Sequence, residues 1–145
     1  MKLPVPESGL VIRYSYLWHA EHLEGREEGR KSRPAAIILT TRKKADNFVV
    51  TVLPITHTSP VQPEQAFEIP PITKQRLGLD GERSWIIVSE ANRFVWPGPD
   101  LRPQPGKDMS TVVYGILPPK FFYALLKKYL SALRANRTGI VNRTE

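Results

Sequence analysis

Proline constrains this chain more than any other residue type. Fourteen prolines and nine glycines are scattered along the 145 residues and interrupt every apolar run. Proline fixes φ and removes a backbone donor, so it disrupts helix interiors and central strand positions. That argues against a helical bundle and suits short strands joined by many turns. The 41% apolar content is enough for a chain of this length to fold as one domain around one core.

Residues 9–18 carry β-branched and aromatic side chains in partial alternation and are expected to form a first strand. Residues 19–32 are charged, contain two glycines and show no apolar period, which suggests a long mobile loop. Pro34 favours an extended Arg33, and the apolar run after it continues as a buried strand. The cluster Arg42-Lys43-Lys44, followed by Asp46-Asn47, suits a hairpin turn into a strand over 48–55. Further strands are expected at 66–69, 84–89, 92–96 and 111–117. The pair at 84–89 and 92–96 is also compatible with one strand bulged near Glu90-Ala91. Thr73 is positioned to cap one helical turn that Gly78 stops.

Pro118-Pro119 opens the one long amphipathic helix, with Phe122, Leu125, Leu126, Tyr129, Leu130 and Leu133 on a single broad face. The expected architecture is mainly β with a C-terminal α-helix. A small, strongly bent barrel covers about 8–117, the helix about 118–135, and a fraying polar tail 136–145.

The composition also limits the chemistry. With no cysteine there is no disulfide frame and no thiol chemistry. Residues 1–7 lack the apolar core of a secretory signal, and no apolar run approaches the roughly 20 residues that span a bilayer. No membrane association and a cytoplasmic location are the default expectations. A net charge of +7 and a pI near 9.9 make nucleic acid the leading partner class, with an acidic protein second.

No glycine-rich phosphate loop occurs, and His19 and His22 have no third ligand at a suitable spacing, so neither cofactor nor metal is expected. What remains is polyphosphate chemistry without a metal. RNA is cut by its own 2′-hydroxyl when a protein aligns it, accepts a proton and stabilises charge on phosphorus. Arginine suits the last task, threonine adds a neutral donor, and histidine or glutamate moves protons.

Several segments together resemble the MazF/PemK/Kid toxins. Gly9-Leu10-Val11, a charged Glu/Gly-rich loop and then Arg33-Pro34-Ala35-Ala36-Ile37-Ile38-Leu39 are similar to the family's opening. Leu53-Pro54-Ile55-Thr56 resembles its second motif, and Ser84 to Trp96 a third segment. Leu117-Pro118-Pro119 and the following helix resemble its C-terminal helix. The resemblance implies an SH3-like barrel that forms a homodimer and binds single-stranded RNA across its interface. It also implies metal-independent endoribonuclease activity and neutralisation by a small acidic antitoxin.

The family's active arginine falls on Arg33 and its active threonine on Thr56. Glu90 is the acid nearest the point where some members carry an aspartate, and His57, beside Thr56, is the proton carrier suggested by its chemistry. Arg42, Lys43 and Lys44 are candidates for a phosphate track, and Trp96 for stacking a base.

Plainer readings stand beside these. Arg33 can pair with Glu27 or Glu28, Thr56 can cap the next loop, and the tryptophans can be core. The barrel type also resembles CcdB-like toxins, which bind gyrase without cleaving anything. Those depend on an apolar C-terminal end, whereas this sequence closes with Asn142-Arg143-Thr144-Glu145. A catalytically silent barrel that binds RNA or an antitoxin is the other alternative.

Overall fold

The computed structural model describes residues 3–26, 29, 31–44 and 47–143. The two longest strands, β2 (Arg33–Lys44) and β3 (Asn47–Thr56), form a hairpin that carries the rest of the sheet. β1 (Leu10–Tyr14) pairs antiparallel with β2 on one side and with β7 (Val113–Ile116) on the other. At the far side β3 is shared. Its first half, Val49 to Val52, pairs with β6 (Glu90–Val95), while Ile55 and Thr56 pair with β5 (Trp85–Ile87), which also pairs with β4 (Ala66–Glu68).

The molecule is therefore mainly β, with a single long helix, α3 (Pro119–Arg134), after the seventh strand. The sheet is bent and forked but not closed. Among the described residues β7 pairs only with β1, and neither arm of the fork returns to it. The flank of β7 is taken by side chains from α3 and from the turn after Arg76 instead. Leu77 packs onto Gly115, and Phe122 lies beside Ile116 against Gly9. The hydrogen-bonded closure expected of a barrel is thus replaced by helix packing.

Both faces of the sheet are buried, which explains the nearly continuous apolar run after Pro34. Ala36, Ile38, Leu53 and Ile55 face one cluster, which Leu125, Tyr129 and Ala132 of α3 complete. Ala35, Ile37, Val50 and Val52 face a second cluster with Tyr14, Tyr16, Phe94 and Trp96. In α3 the buried stripe is Leu125, Tyr129 and Ala132, while Leu133, expected on the same face, is exposed. Burial of one such leucine contributes about 1.5–3 kcal/mol.

Three local expectations need correction. The segment 19–32 is not all loop, because α1 (His19–Leu23) occupies its start, with Glu21 accepting a hydrogen bond from the Trp18 amide at 3.1 Å. The second helix, α2 (Pro71–Arg76), begins at Pro71, so Thr73 is buried inside it and does not cap it. The tail 136–145 does not simply fray. β8 (Gly139–Asn142) joins β6 as a parallel strand, and Arg143 is buried beyond it. Of the alternatives for 84–96, two separate strands are found. No helix among the described residues is long and apolar enough to cross a membrane.

Candidate functional site

Strand register brings the polar ends of three strands together. Ala35 opposes Pro54, which carries Arg33 to the level of Thr56, and Arg13 on β1 opposes Pro34. Side chains alternate along a strand. Arg33 thus lies on the face of Ala35 and Ile37, whereas Arg13 lies on the face of Val11. Both still line one cleft of about 330 Å³, which wraps around the margin where β2 begins and β3 ends. Lys31, Thr56, His57, Lys74 and Asp80 are among its other polar lining residues.

The Arg33 guanidinium rests on the Trp18 ring, 4.8 Å from its centroid, and its Nε is buried with no hydrogen-bond partner among the described residues. Desolvation lowers its pKa from the ordinary arginine value, opposed by Glu21, Tyr16 and Glu90. It still keeps its charge at neutral pH. An orphaned, desolvated N–H on a charged group is costly unless an acceptor arrives. Arg13 is already engaged, donating to the Tyr114 hydroxyl at 3.0 Å and to the Ser32 carbonyl at 3.3 Å. Thr56 Oγ1 accepts from the Thr58 amide at 3.2 Å, so its local capping role is real. Its hydroxyl proton is not consumed by that bond.

His57 belongs to a network that extends beneath the cleft. Its Nε2 lies 2.7 Å from Asp80 Oδ2. An ionised carboxylate only accepts, so Nε2 carries the proton and a neutral ring keeps its lone pair on Nδ1. Asp80 is in turn held by Lys74, whose side chain is only 6% exposed and whose Nζ is 2.6 Å from Asp80 Oδ1. The same ammonium donates to Ser84 Oγ at 2.7 Å and to the Glu82 carbonyl. Burial alone would raise the Asp80 carboxyl, but hydrogen bonds from Lys74, the Glu82 amide and His57 outweigh it and hold it below the usual aspartate range.

His57, Asp80 and Glu82 could together offer a cation three ligand atoms within 4.8 Å of one another. The Lys74 ammonium already neutralises Asp80 there, which disfavours a second cation.

The structure brings Arg33, Thr56 and His57 into one cleft and separates the other candidates from it. Glu90 lies behind Arg33, its Oε1 accepting from the Tyr16 hydroxyl at 3.1 Å and the His19 amide at 2.9 Å. Burial raises its carboxyl above the usual value, partly offset by those bonds. Trp96 is 8% exposed, packed in the second core cluster with its Nε1 donating to the Pro4 carbonyl, so no face is open to a base.

Arg42 and Lys43 are exposed at the far end of β2, roughly 30 Å along the strand from Arg33. Lys44 pairs with Asn47 at that end and is described by its backbone alone. The alternative partners Glu27 and Glu28 lie outside the described residues.

Sequence reasoning missed Asp80, Lys74, Arg13 and Lys31. Only Arg13 carried a signal, a charge set between Ile12 and Tyr14 in an apolar strand. The chain matches no family model, no curated protein and no solved structure, so those comparisons assign it neither to the MazF/PemK family nor to another.

Proposed function

We propose that this chain is an endoribonuclease that cleaves single-stranded RNA without a metal, as its resemblance to the MazF/PemK toxins implies. One observation carries the proposal: the cleft gathers Arg33, Thr56 and His57 from separate strand ends, beside Arg13 and Lys31. A cationic cleft draws in a polyanion, and the Arg33 guanidinium on its wall is the donor type that holds phosphate oxygens.

In this reading Arg33 holds the non-bridging oxygens as phosphorus becomes pentacoordinate, and Thr56 donates to one of them. His57 Nδ1 accepts the proton of the 2′-hydroxyl, with Asp80 fixing the ring from the opposite nitrogen. The 2′-oxygen bonds to phosphorus, the 5′-oxygen departs, and a cyclic phosphate remains. Of the two suggested proton carriers, His57 is in the cleft. Glu90 is not part of its lining and holds Tyr16 instead.

The same resemblance extends the proposal to a homodimer with RNA across its interface and a small acidic antitoxin over the basic cleft. The test is incubation of the purified protein with a long single-stranded RNA in excess chelator, beside Arg33→Ala. Discrete fragments that the variant does not produce are expected. Intact RNA with the native protein would refute the cleavage reading and leave an anion-binding cleft.

A further inference from the structure

A second cavity, of about 450 Å³, opens beside the cleft and shares Arg33 and Lys31 with it. Tyr16, Trp18, Glu21 and Glu24 supply the rest of its polar and aromatic wall. Of the three tryptophans, Trp18 alone is not buried. Its ring is held rigidly, edge-on to Tyr16 at 5.2 Å, and Tyr16 is tied to Glu90. Gly29 passes flush behind this wall, where a Cβ would run into the Tyr16 carbonyl. The adjoining backbone is fixed as well, because Asn92 Oδ1 accepts from the Leu17 amide at 2.9 Å and Asn92 Nδ2 donates to the Leu17 carbonyl at 2.8 Å.

The chemistry of this cavity differs from that of the cleft. Arg13, Arg33 and Lys31 make the cleft cationic, its Asp80 being neutralised by Lys74, whereas beyond Arg33 and Lys31 the second cavity adds two carboxylates and the Trp18 ring. Glu21 already accepts from the Trp18 amide and pairs with Arg26 at 3.6 Å, but a carboxylate has several lone pairs and accepts further hydrogen bonds from amino groups. A rigid indole offers a stacking partner to a flat heterocycle. The two cavities meet at Arg33 and Lys31, so a ligand that spans both is anionic at one end and flat and amine-bearing at the other.

We infer that the Trp18 cavity is a nucleobase subsite. It takes an unpaired base with an exocyclic amine, adenine, cytosine or guanine in preference to uracil, from the nucleotide whose phosphate lies against Arg33. This inference rests on the reading of the neighbouring cleft as a polynucleotide phosphate site, but it does not require cleavage.

The test uses the full chain titrated with the 5′-monophosphates of adenosine, cytidine, guanosine and uridine, and with inorganic phosphate. Tryptophan fluorescence and calorimetry are the readouts. Saturable quenching is expected, with the amine-bearing nucleotides at least about five-fold tighter than uridylate, the worth of one hydrogen bond. Trp18→Phe removes the quenching but leaves calorimetric binding. Trp18→Ala weakens the amine-bearing nucleotides about ten-fold, as loss of a stacking partner does, and weakens inorganic phosphate by a smaller factor, because Arg33 loses only its platform. Glu24→Gln, at an exposed position, keeps the fold and narrows the preference over uridylate.

Equal binding of all four nucleotides would overturn the subsite. Undiminished binding by Trp18→Ala, or inorganic phosphate matching the nucleotides in affinity and quenching, would do the same. If the nucleotides discriminate as described while RNA stays intact in chelator, cleavage is refuted and the subsite stands. RNA cut by a protein that does not discriminate refutes the subsite alone.

Discussion

Arg143 lies one residue beyond the last strand, yet its side chain is 3% exposed, and replacing it with methionine tests how firmly that strand is held. Its Nη2 is 3.1 Å from Asp100 Oδ2, on a side chain that is itself 9% exposed. Its Nη1 donates to the Ser15 carbonyl at 2.8 Å and to Asn92 Oδ1 at 3.1 Å. Methionine fills much of the volume but strands the Asp100 carboxylate without its cation. Breaking a buried pair from one side costs about 3–5 kcal/mol. A domain of 145 residues has an unfolding entropy near 0.3 kcal/mol per degree, so the melting temperature should fall by about 10–16 °C. Adding Asp100→Asn removes the stranded charge and should recover at least about half of that loss. Thermal and urea unfolding followed by circular dichroism measure both variants. If Arg143→Met stays within about 1 kcal/mol of the native protein, or the double variant is no better than the single, the buried pair does not anchor the strand.

Three further outcomes are expected. Arg33→Ala should lower RNA cleavage by about 10²–10³-fold, the usual worth of one charge-stabilising donor, with no comparable loss of stability; fragment yield and a melting curve separate the two. Asp80→Asn should cut the cleavage rate on the order of 10²-fold or more and change the nitrogen NMR signature of the His57 tautomer. Because the folded Asp80 carboxyl is depressed, its stabilisation is present above the normal aspartate value near 3.8 and is lost as pH falls through the lower folded value. Asp80→Asn should therefore flatten the acid limb of the melting-temperature profile. Glu90 has the opposite sign. Its raised carboxyl favours the fold below the ordinary value near 4.5, and that contribution is lost as pH rises through the higher folded value. Glu90→Gln should accordingly compare better with the native protein at pH 8 than at pH 4, and an equal difference at both would show that burial of the charge does not govern this site.

What was legible in the sequence is what local pattern controls. β2 and β3 announced themselves by β-branched runs around a polar turn, and α3 by a doubled proline ahead of an apolar stripe. α1 has five residues and β8 four, too short for any period to show. β8 is a strand because β6 supplies a parallel edge and Arg143 finds Asp100, neither of which is near it in sequence. Trp96 was misjudged although its alternation gave a warning. Asn92, Phe94 and Trp96 share one strand face, and Phe94 stacks on buried Tyr14 at 4.7 Å. Arg33, Thr56 and His57 were visible as polar residues at the ends of apolar strands. Asp80 was not, because it reaches His57 only through a loop shaped by the buried ammonium of Lys74.

The buried network and the cleft are mechanically one structure. Arg143 and Asn92 share a hydrogen bond, and Asn92 grips both backbone groups of Leu17, the residue before Trp18. Gly139, at the start of β8, lies against the His19 ring, the residue after Trp18. Trp18 is thus fixed from both sides by the last strand and its arginine, and Trp18 is the surface on which Arg33 lies. A guanidinium on a long side chain is a poor phosphate clamp while its torsions are free, since ordering it offsets the gain from each hydrogen bond. Stacked on a braced indole, Arg33 has already lost much of that freedom before any ligand arrives. Preorganisation of this kind lets one charge act strongly on phosphorus. It also explains why a domain would bury an ion pair far along the chain from the arginine it serves.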